Sequence, residues 1–208
     1  MRLIVFTILF LSSLQLNANI TLPSFFSDGV VLQRNTSINI WGWADAGEKV
    51  KIVFNNKTYQ TIAAKNGGWK IKLAPQKAGG PYEMKITGKN ELLIKDILIG
   101  DVWIASGQSN MEYEMVNVKS QYKDDIASSD NKFIRQFAVK KEYSFMPLKD
   151  VTSAYGGWKA ASPETFFPFP RSLIFLQKIC MQNIKFPSVS LTLHGVAHPP
   201  KHGQAKKH

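Results

Sequence analysis

The sequence predicts an all-β sandwich or jelly-roll-like domain followed by the start of an α/β domain, within a chain of 208 residues. Short strand-like segments separated by turn residues fill the first half, and no segment of helical period interrupts them. At residue 97 a nearly continuous apolar run begins, and a tight turn and a polar, helix-like segment follow it. The composition, 44% hydrophobic and 12% aromatic, is typical of a globular protein.

Residues 1–18 have the pattern of a secretory signal peptide. Arg2 supplies a positive start, "LIVFTILFLSSLQL" is an apolar run of signal-peptide length, and "LNAN" offers small or polar residues for cleavage near Ala18. The apolar run is short for a membrane span, and no second run of spanning length follows in the sequence. We therefore expect export to the periplasm or the extracellular space, without membrane attachment after cleavage.

Residues 19–96 are predicted to form the β-sandwich domain. Lysines alternate with apolar residues in its segments, which indicates one solvated sheet face rather than a nucleic-acid-binding stripe. Turn sequences such as "DAGE", "NNK" and "KNGG" separate the segments and favour antiparallel pairing. The predicted strands are "GVVLQ", "SINIWGWA", "KVKIVF", "TYQTIAA", "GWKIKL", "YEMKITG" and "ELLIKD".

Residues 97–165 are predicted to begin an α/β domain. "ILIGDVWIA" is apolar enough for a strand buried on both faces of a parallel sheet. "SGQSN" supplies a turn, and "MEYEMVNVKSQYKDDIASSD" is polar enough for an exposed helix or helical loop. In open α/β sheets ligands bind outside the carboxyl ends of the strands, so this turn is the candidate site.

Ser109 in that turn is the candidate nucleophile. Backbone N–H groups at the start of the following helix could stabilise the oxyanion of acyl transfer beside it. Gly107, Gln108 and Asn110 are the candidate oxyanion- or substrate-binding residues, since Gly107 permits a sharp turn and Asn110 adds a polar group. Helix capping by Ser109 or Asn110 is an alternative that the motif alone leaves open.

The surrounding sequence resembles the sialate O-acetylesterase family of carbohydrate esterases. "FSDGVVLQR", "WGWADAGE", "AGGPYEMKI" and "GDVWIASGQSNM" occur in the family's order between about residues 22 and 165. The resemblance implies a β-domain ahead of an SGNH-type hydrolase domain, with Ser109 as nucleophile. It also implies removal of acetyl groups from sialic acids or related acetylated glycans through an acetyl-enzyme. No metal or other cofactor is expected.

The chain departs from the family at the catalytic base. SGNH enzymes use the His of an Asp-x-x-His element, and no such element occurs in the sequence. The four histidines, His194, His198, His202 and His208, all follow the last aspartate. A metal site on the three that are spaced by four is disfavoured because prolines between them break a helix. We therefore expect the 208-residue chain to be inactive.

Residues 166–208 are expected to be an aberrant basic tail. All 15 acidic residues precede residue 166, so the net charge of +11 is concentrated in the tail and does not indicate a nucleic-acid partner. Restoring one nucleotide near Phe169 permits the family-like reading "FSAVAYFFAKNLYAKYKVPIGLINTSWGG". The residues from about Pro170 onward are therefore predicted to be out of frame.

A second function class is open at this point. The β-domain could bind carbohydrate on exposed aromatic side chains such as Trp41, Trp43 or Trp69 without any chemistry. Packing in the sandwich core is the competing interpretation of these tryptophans. The single cysteine, Cys180, has no partner for a disulfide within the chain. The acetylated sugar and the oligomeric state are not specified by the sequence.

Overall fold

The computed structural model describes residues 19–107, 113–142, 144–165 and 188–194, and these are mostly β-strand. The predicted signal peptide and most of the predicted tail lie outside the described residues. A 3-10 helix at Met115–Val118 and helix α1 at Lys123–Ala127 follow the predicted turn. The strands are β1 Val31–Gln33, β2 Ile38–Trp43, β3 Lys49–Phe54, β4 Lys57–Ile62, β5 Gly68–Leu73, β6 Gly79–Thr87, β7 Glu91–Gly107, β8 Asn131–Val139, β9 Lys159–Ala161 and β10 Ser188–His194.

The strands form a large curled sheet and a small one. The large sheet has the order β4-β3-β6-β7-β10-β8-β9, with β1 paired to β7, and the small sheet contains β2 and β5. On β3 the side chains of Val50, Ile52 and Phe54 are buried, and those of Lys49 and Lys51 alternate with them and are exposed. On β5 the side chains of Lys70 and Lys72 are likewise exposed between buried residues. This alternation confirms the β-rich first half that the sequence predicts.

Strand β7 differs from the prediction. The segments "ELLIKD" and "ILIGDVWIA", expected as two strands, form one strand of 17 residues. Its first part pairs antiparallel with β6, and Asp101–Gly107 pair in parallel with β10. Asp96, the last residue of the predicted β-domain, has a φ of +55° within this strand. Asp tolerates this conformation better than most residues, so the chain can bend here without ending the strand.

Strand β1 is a second departure, because the sandwich was expected to be antiparallel. Val31 lies beside Leu98 and Gln33 beside Gly100, in parallel register. The pairing places β1 next to the middle of β7. The predicted division between residues 96 and 97 therefore falls inside a strand that both parts of the chain share.

The carboxyl half of β7 belongs to a parallel arrangement. β10 lies between β7 and β8 and is parallel to both, and residues 134–138 of β8 are all buried. Burial on both faces is characteristic of parallel strands. Neither helix of the described ranges is long and apolar enough to cross a membrane. The SGNH-type α/β assignment remains a prediction, since the described helices are few and short.

An aromatic cluster joins the two parts of the chain. The ring of Phe25 lies edge-on to three other rings, with centroid distances of 5.4 Å to Phe26, 5.8 Å to Phe137 and 5.2 Å to Trp158. Trp158 Nε1 also donates a 2.8 Å hydrogen bond to the backbone carbonyl of Phe25. Phe26, Phe137 and Trp158 belong to one buried core that extends from Ile20 to Trp158, and Phe25 packs against it. The β-domain and the parallel strands are therefore packed as one unit.

A buried arginine fixes the bend of β7. Arg135 on β8 forms a 2.8 Å salt bridge to Asp96, and its side chain is only 8% exposed. Its Nε also donates to the carbonyl of Lys132 at 2.7 Å. A Cβ at Gly29 would come within 2.9 Å of Arg135 Nη1, so the guanidinium would have to shift, and the φ of +82° also favours glycine there. Removing the carboxylate would leave a buried charge without this partner.

Asp96→Asn tests this salt bridge, because asparagine also tolerates a positive φ and only the charge is lost. We expect the free energy of unfolding to fall by about 2 kcal/mol, below the range for fully buried pairs because Asp96 is half-exposed. Glu91→Gln, which breaks the exposed pair with Lys85, is the matched control and should cost less than about 1 kcal/mol. Urea denaturation measures both changes. Equal losses would contradict a special role for Asp96.

Candidate active site

The carboxyl ends of three parallel strands meet at one edge of the large sheet. Ser106 of β7 lies beside Leu193 of β10, which lies beside Val139 of β8, and Gly107 lies beside His194. Ligands bind at such an edge in open α/β sheets. Ser109 follows Gly107 by two residues, so their Cα atoms are within about 7 Å of each other.

Beyond this edge, the chain after β8 forms a hairpin loop. Lys140 N–H donates to Thr152 O, and Val139 bridges to Ser153, which closes the base of the loop. Apolar side chains in the loop are exposed, and that of Phe145 is 98% exposed. In the sequence, an apolar "FMPL" among charged residues is the signal for this loop, and it was not among the predicted site residues. The loop therefore begins and ends at the carboxyl edge that precedes the predicted position of Ser109.

The base of the loop is attached to the N-terminal part of the chain. Asp150 Oδ2 accepts a 2.8 Å hydrogen bond from the backbone N–H of Ser24, and Ser24 Oγ donates to the carbonyl of Val151. Ser24 adjoins Phe25 of the aromatic cluster. The β-domain therefore holds one end of this loop at the carboxyl edge.

Side chains near β1 fix the point where the parallel half of β7 begins. Arg34 binds Asp101 through two contacts, Nε to Oδ1 at 2.8 Å and Nη2 to Oδ2 at 3.1 Å. The hydrogen bond and the charge of Asp101 raise the pKa of Arg34. Gln33 Oε1 accepts a 2.9 Å hydrogen bond from the backbone N–H of Val102. These contacts orient the strand that leads to Gly107.

Tyr155 lies near the segment that follows the predicted turn. Burial, and in second place the negative charge of Glu114, raise the pKa of its phenol above the ordinary value. Glu114 immediately precedes the 3-10 helix, whose Met115 and Val118 pack with Ile126 in a small buried cluster. The structure therefore brings Tyr155 close to the chain that leaves the predicted turn, which the sequence analysis did not foresee.

Comparison with known proteins supports the predicted resemblance. No family model matches the chain. The sialate O-acetylesterase of Rattus norvegicus is 28% identical over 147 residues, which are 65% of this chain and 27% of that protein. The sialate O-acetylesterase of Homo sapiens is 26% identical over 153 residues, 68% of this chain and 29% of that protein. The chain thus spans less than a third of the length of these curated relatives.

A solved structure adds agreement in fold. The crystal structure of a carbohydrate acetylesterase from Xanthomonas citri is 33% identical, with a TM-score of 0.78 over 85% of this chain and 40% of that one. The chain is similar in sequence to sialate O-acetylesterases and in sequence and fold to a carbohydrate acetylesterase. This confirms the family that the sequence motifs predicted.

The structure places only some of the predicted site residues. Gly107 ends β7 at the carboxyl edge. Gln108, Ser109 and Asn110 lie outside the described residues, so their roles remain predictions. The described strands bring His194 to the same edge as Gly107.

The three tryptophans proposed for carbohydrate binding are in different environments. Trp69 is buried in the core, as the competing interpretation predicted, and Trp43 is partly buried. Trp41 is 41% exposed on the solvent side of β2. Only Trp41 therefore presents a large part of its indole to solvent.

The raised pKa of Tyr155 has a testable consequence. The folded state favours the neutral phenol of Tyr155. The contribution of this phenol to the free energy of unfolding is therefore complete below its ordinary pKa near 10, and it is lost as the pH rises through the raised pKa. Glu114→Gln should lower the phenol pKa, measured as the tyrosinate absorbance that Tyr155→Phe removes. An unchanged or higher pKa in Glu114→Gln would show that the carboxylate does not act on Tyr155.

Proposed function

We propose that the function encoded here is carbohydrate O-acetyl ester hydrolysis, with sialic acids or related acetylated glycans as substrates. The observation that carries the proposal is the 33% identity and shared fold with a carbohydrate acetylesterase. The curated sialate O-acetylesterases support the substrate class. The position of Gly107 at a carboxyl strand edge supports a site in the turn that follows it.

In the proposed reaction, Ser109 Oγ attacks the carbonyl carbon of the acetyl group. The negative charge that develops on the carbonyl oxygen is stabilised by donors around Gly107, Gln108 and Asn110. The bond to the sugar oxygen breaks, the sugar leaves as an alcohol after receiving a proton, and acetyl-Ser109 remains. Water then attacks this ester, releases acetate and restores the hydroxyl.

Both steps require a base that takes and returns a proton. The sequence has no Asp-x-x-His element, so we propose that this chain turns over slowly or not at all. Loss of the histidine alone lowers turnover by about 10⁶ in a serine protease. Among the described residues, His194 is the histidine at the carboxyl edge, and it is the natural candidate to test for residual activity.

We also propose export through residues 1–18 and a reading-frame change near Phe169. Sequencing the N-terminus of the mature protein tests export, and a start near Asn19 would support it.

Resequencing the gene across the codons for residues 165–171 tests the reading frame. An additional base there would restore the family-like reading, whereas a confirmed frame and an early stop in the shifted one would exclude it.

Covalent labelling tests Ser109 directly. We expect a fluorophosphonate to modify Ser109 slowly, since the base is missing, and Ser109→Ala to abolish the modification. Ser106→Ala, which changes the neighbouring serine at the end of β7, is the matched control and should leave labelling intact. Mass spectrometry of the peptide that contains both serines locates the adduct. A folded chain that stays unmodified at Ser109 after prolonged exposure would contradict the assignment.

Deacetylation is tested separately, by acetate release from O-acetylated sialic acid. We expect turnover about 10⁶ below that of a complete family esterase and loss of any residual activity in Ser109→Ala. His194→Ala shows whether this histidine supports that residual activity. Rapid turnover that is unaffected by either substitution would place the chemistry elsewhere in the chain.

A further inference from the structure

A cavity of about 570 Å³ lies where the β-domain meets the segment before β9. Its volume is within the range of about 300–1,000 Å³ that is typical of small-molecule sites. The start of β7 and the segment Gly156–Trp158 both contribute to its lining. The lining residues are Leu22, Phe26, Ser27, Asp28, Leu92, Leu93, Ile94, Gly156, Gly157 and Trp158.

The lining combines an apolar wall with a carboxylate. Leu93 is nearly half exposed despite its apolar side chain, and it lines the cavity beside buried Phe26. Asp28 Oδ1 accepts a 2.7 Å hydrogen bond from the backbone N–H of Lys95. Within the described part of the chain, no donor is found for Asp28 Oδ2. An exposed apolar surface beside a free acceptor suits a ligand with C–H groups on one side and hydroxyl donors on the other.

Two consecutive glycines, Gly156 and Gly157, line one part of the cavity without side chains. Gly156 and Gly157 have φ values of +72° and +98°, which side chains rarely adopt. A Cβ at Gly156 would meet no atom within 4 Å, so this position borders open space. The backbone, rather than a side chain, therefore forms this side of the cavity, and a ligand can approach it closely.

Trp41 contacts one of the residues that line the cavity. Its indole packs edge-on against Phe26, with a centroid distance of 4.7 Å, and Phe26 itself lines the cavity. The contact restricts the orientation of the indole while much of it remains in solvent. A restrained, exposed indole is a suitable surface for the apolar face of a sugar ring, because its burial is favourable and little side-chain entropy is lost.

We propose that the cavity and Trp41 form an ancillary binding site for uncharged sugar residues of a glycan. Asp28 accepts hydrogen bonds from hydroxyls, and its negative charge disfavours sugars that carry a carboxylate in the cavity. Leu92–Ile94 lie at the start of β7, whereas Gly107 ends it, so this site is separate from the predicted position of Ser109. Binding here requires no chemistry at Ser109 and does not depend on the proposed esterase activity.

Isothermal titration of the full chain with cellotetraose, xylotetraose and maltotetraose tests the site, with tetragalacturonic acid as the charged counterpart. We expect at least one neutral tetrasaccharide to bind with a millimolar or lower Kd, and the acid to bind more weakly. Asp28→Asn should raise the Kd about tenfold, because the substitution removes a charged acceptor. The asparagine side chain can still accept the hydrogen bond from Lys95 N–H, so the local backbone contact is kept. Trp41→Ala should weaken binding several-fold.

Two control variants distinguish binding in this cavity from binding at another surface of the chain. Trp103→Ala removes a tryptophan of matching exposure, 42% against 41%, that does not line the cavity, and it should leave the Kd unchanged. Ser109→Ala should also bind normally, so failure of the esterase proposal and failure of this one give different results.

Urea denaturation confirms that each variant is folded, and Trp41→Phe replaces Trp41→Ala if the latter unfolds. Absence of binding by every neutral probe, tighter binding of the charged probe, or a Kd insensitive to both Asp28 and Trp41 would overturn the proposal.

Discussion

The hydrogen bonding of β7 along its whole length is the constraint on which the rest of the structure depends. The strand pairs first with β6, then with β1, and finally with β10. This one continuous strand is therefore hydrogen-bonded to strands from both parts of the chain. A hinge at residue 96 would break these ladders. The positive φ of Asp96 instead lets the strand bend, and the buried guanidinium of Arg135 holds the bend in place. The carboxyl edge is thereby fixed relative to the β-domain.

The described core follows from this arrangement. Phe25 comes before the first strand, yet its ring contacts Phe137 on β8 and Trp158, which immediately precedes β9. Asp150 reaches the backbone of Ser24 beside it. The β-domain thus does more than precede the candidate site in sequence, because it supports the loop that borders the carboxyl edge. This is a physical reason for the two parts to occur together in one polypeptide.

Local alternation was predictable, and long-range pairing was not. The patterns of β3 and β5 indicate both strands with their observed bounds, because every second side chain is apolar. The sequence did not indicate that β7 is one continuous strand, because Lys95 and Asp96 are polar residues that interrupt an apolar run as a turn would. The parallel pairing of β1 has no local signal either. It depends on partners about 67 residues away, as in the pairing of Val31 with Leu98.

The same distinction applies to the site. A strand that ends in Gly107 and a turn with Ser109 are readable because they are contiguous. The proximity of Tyr155 to Glu114 and the cavity beside Asp28 are not, because their residues come from distant segments that only the fold brings together. Exposure is likewise a tertiary property, and it distinguishes Trp41 from Trp69 although they lie on paired strands with similar alternation.

The place of β10 between β7 and β8 has a consequence for biosynthesis. β7 and β8 leave the ribosome long before β10, yet they are not neighbours in the finished sheet. Until residues 188–194 are made, the carboxyl half of β7 and one edge of β8 lack the neighbour that they share in the finished sheet. Unpaired edges can pair with each other or with another chain, so this interval is the period of greatest risk of misassembly. Folding of this region is therefore governed by the arrival of its central strand, and a delay in translation after β9 prolongs the exposure.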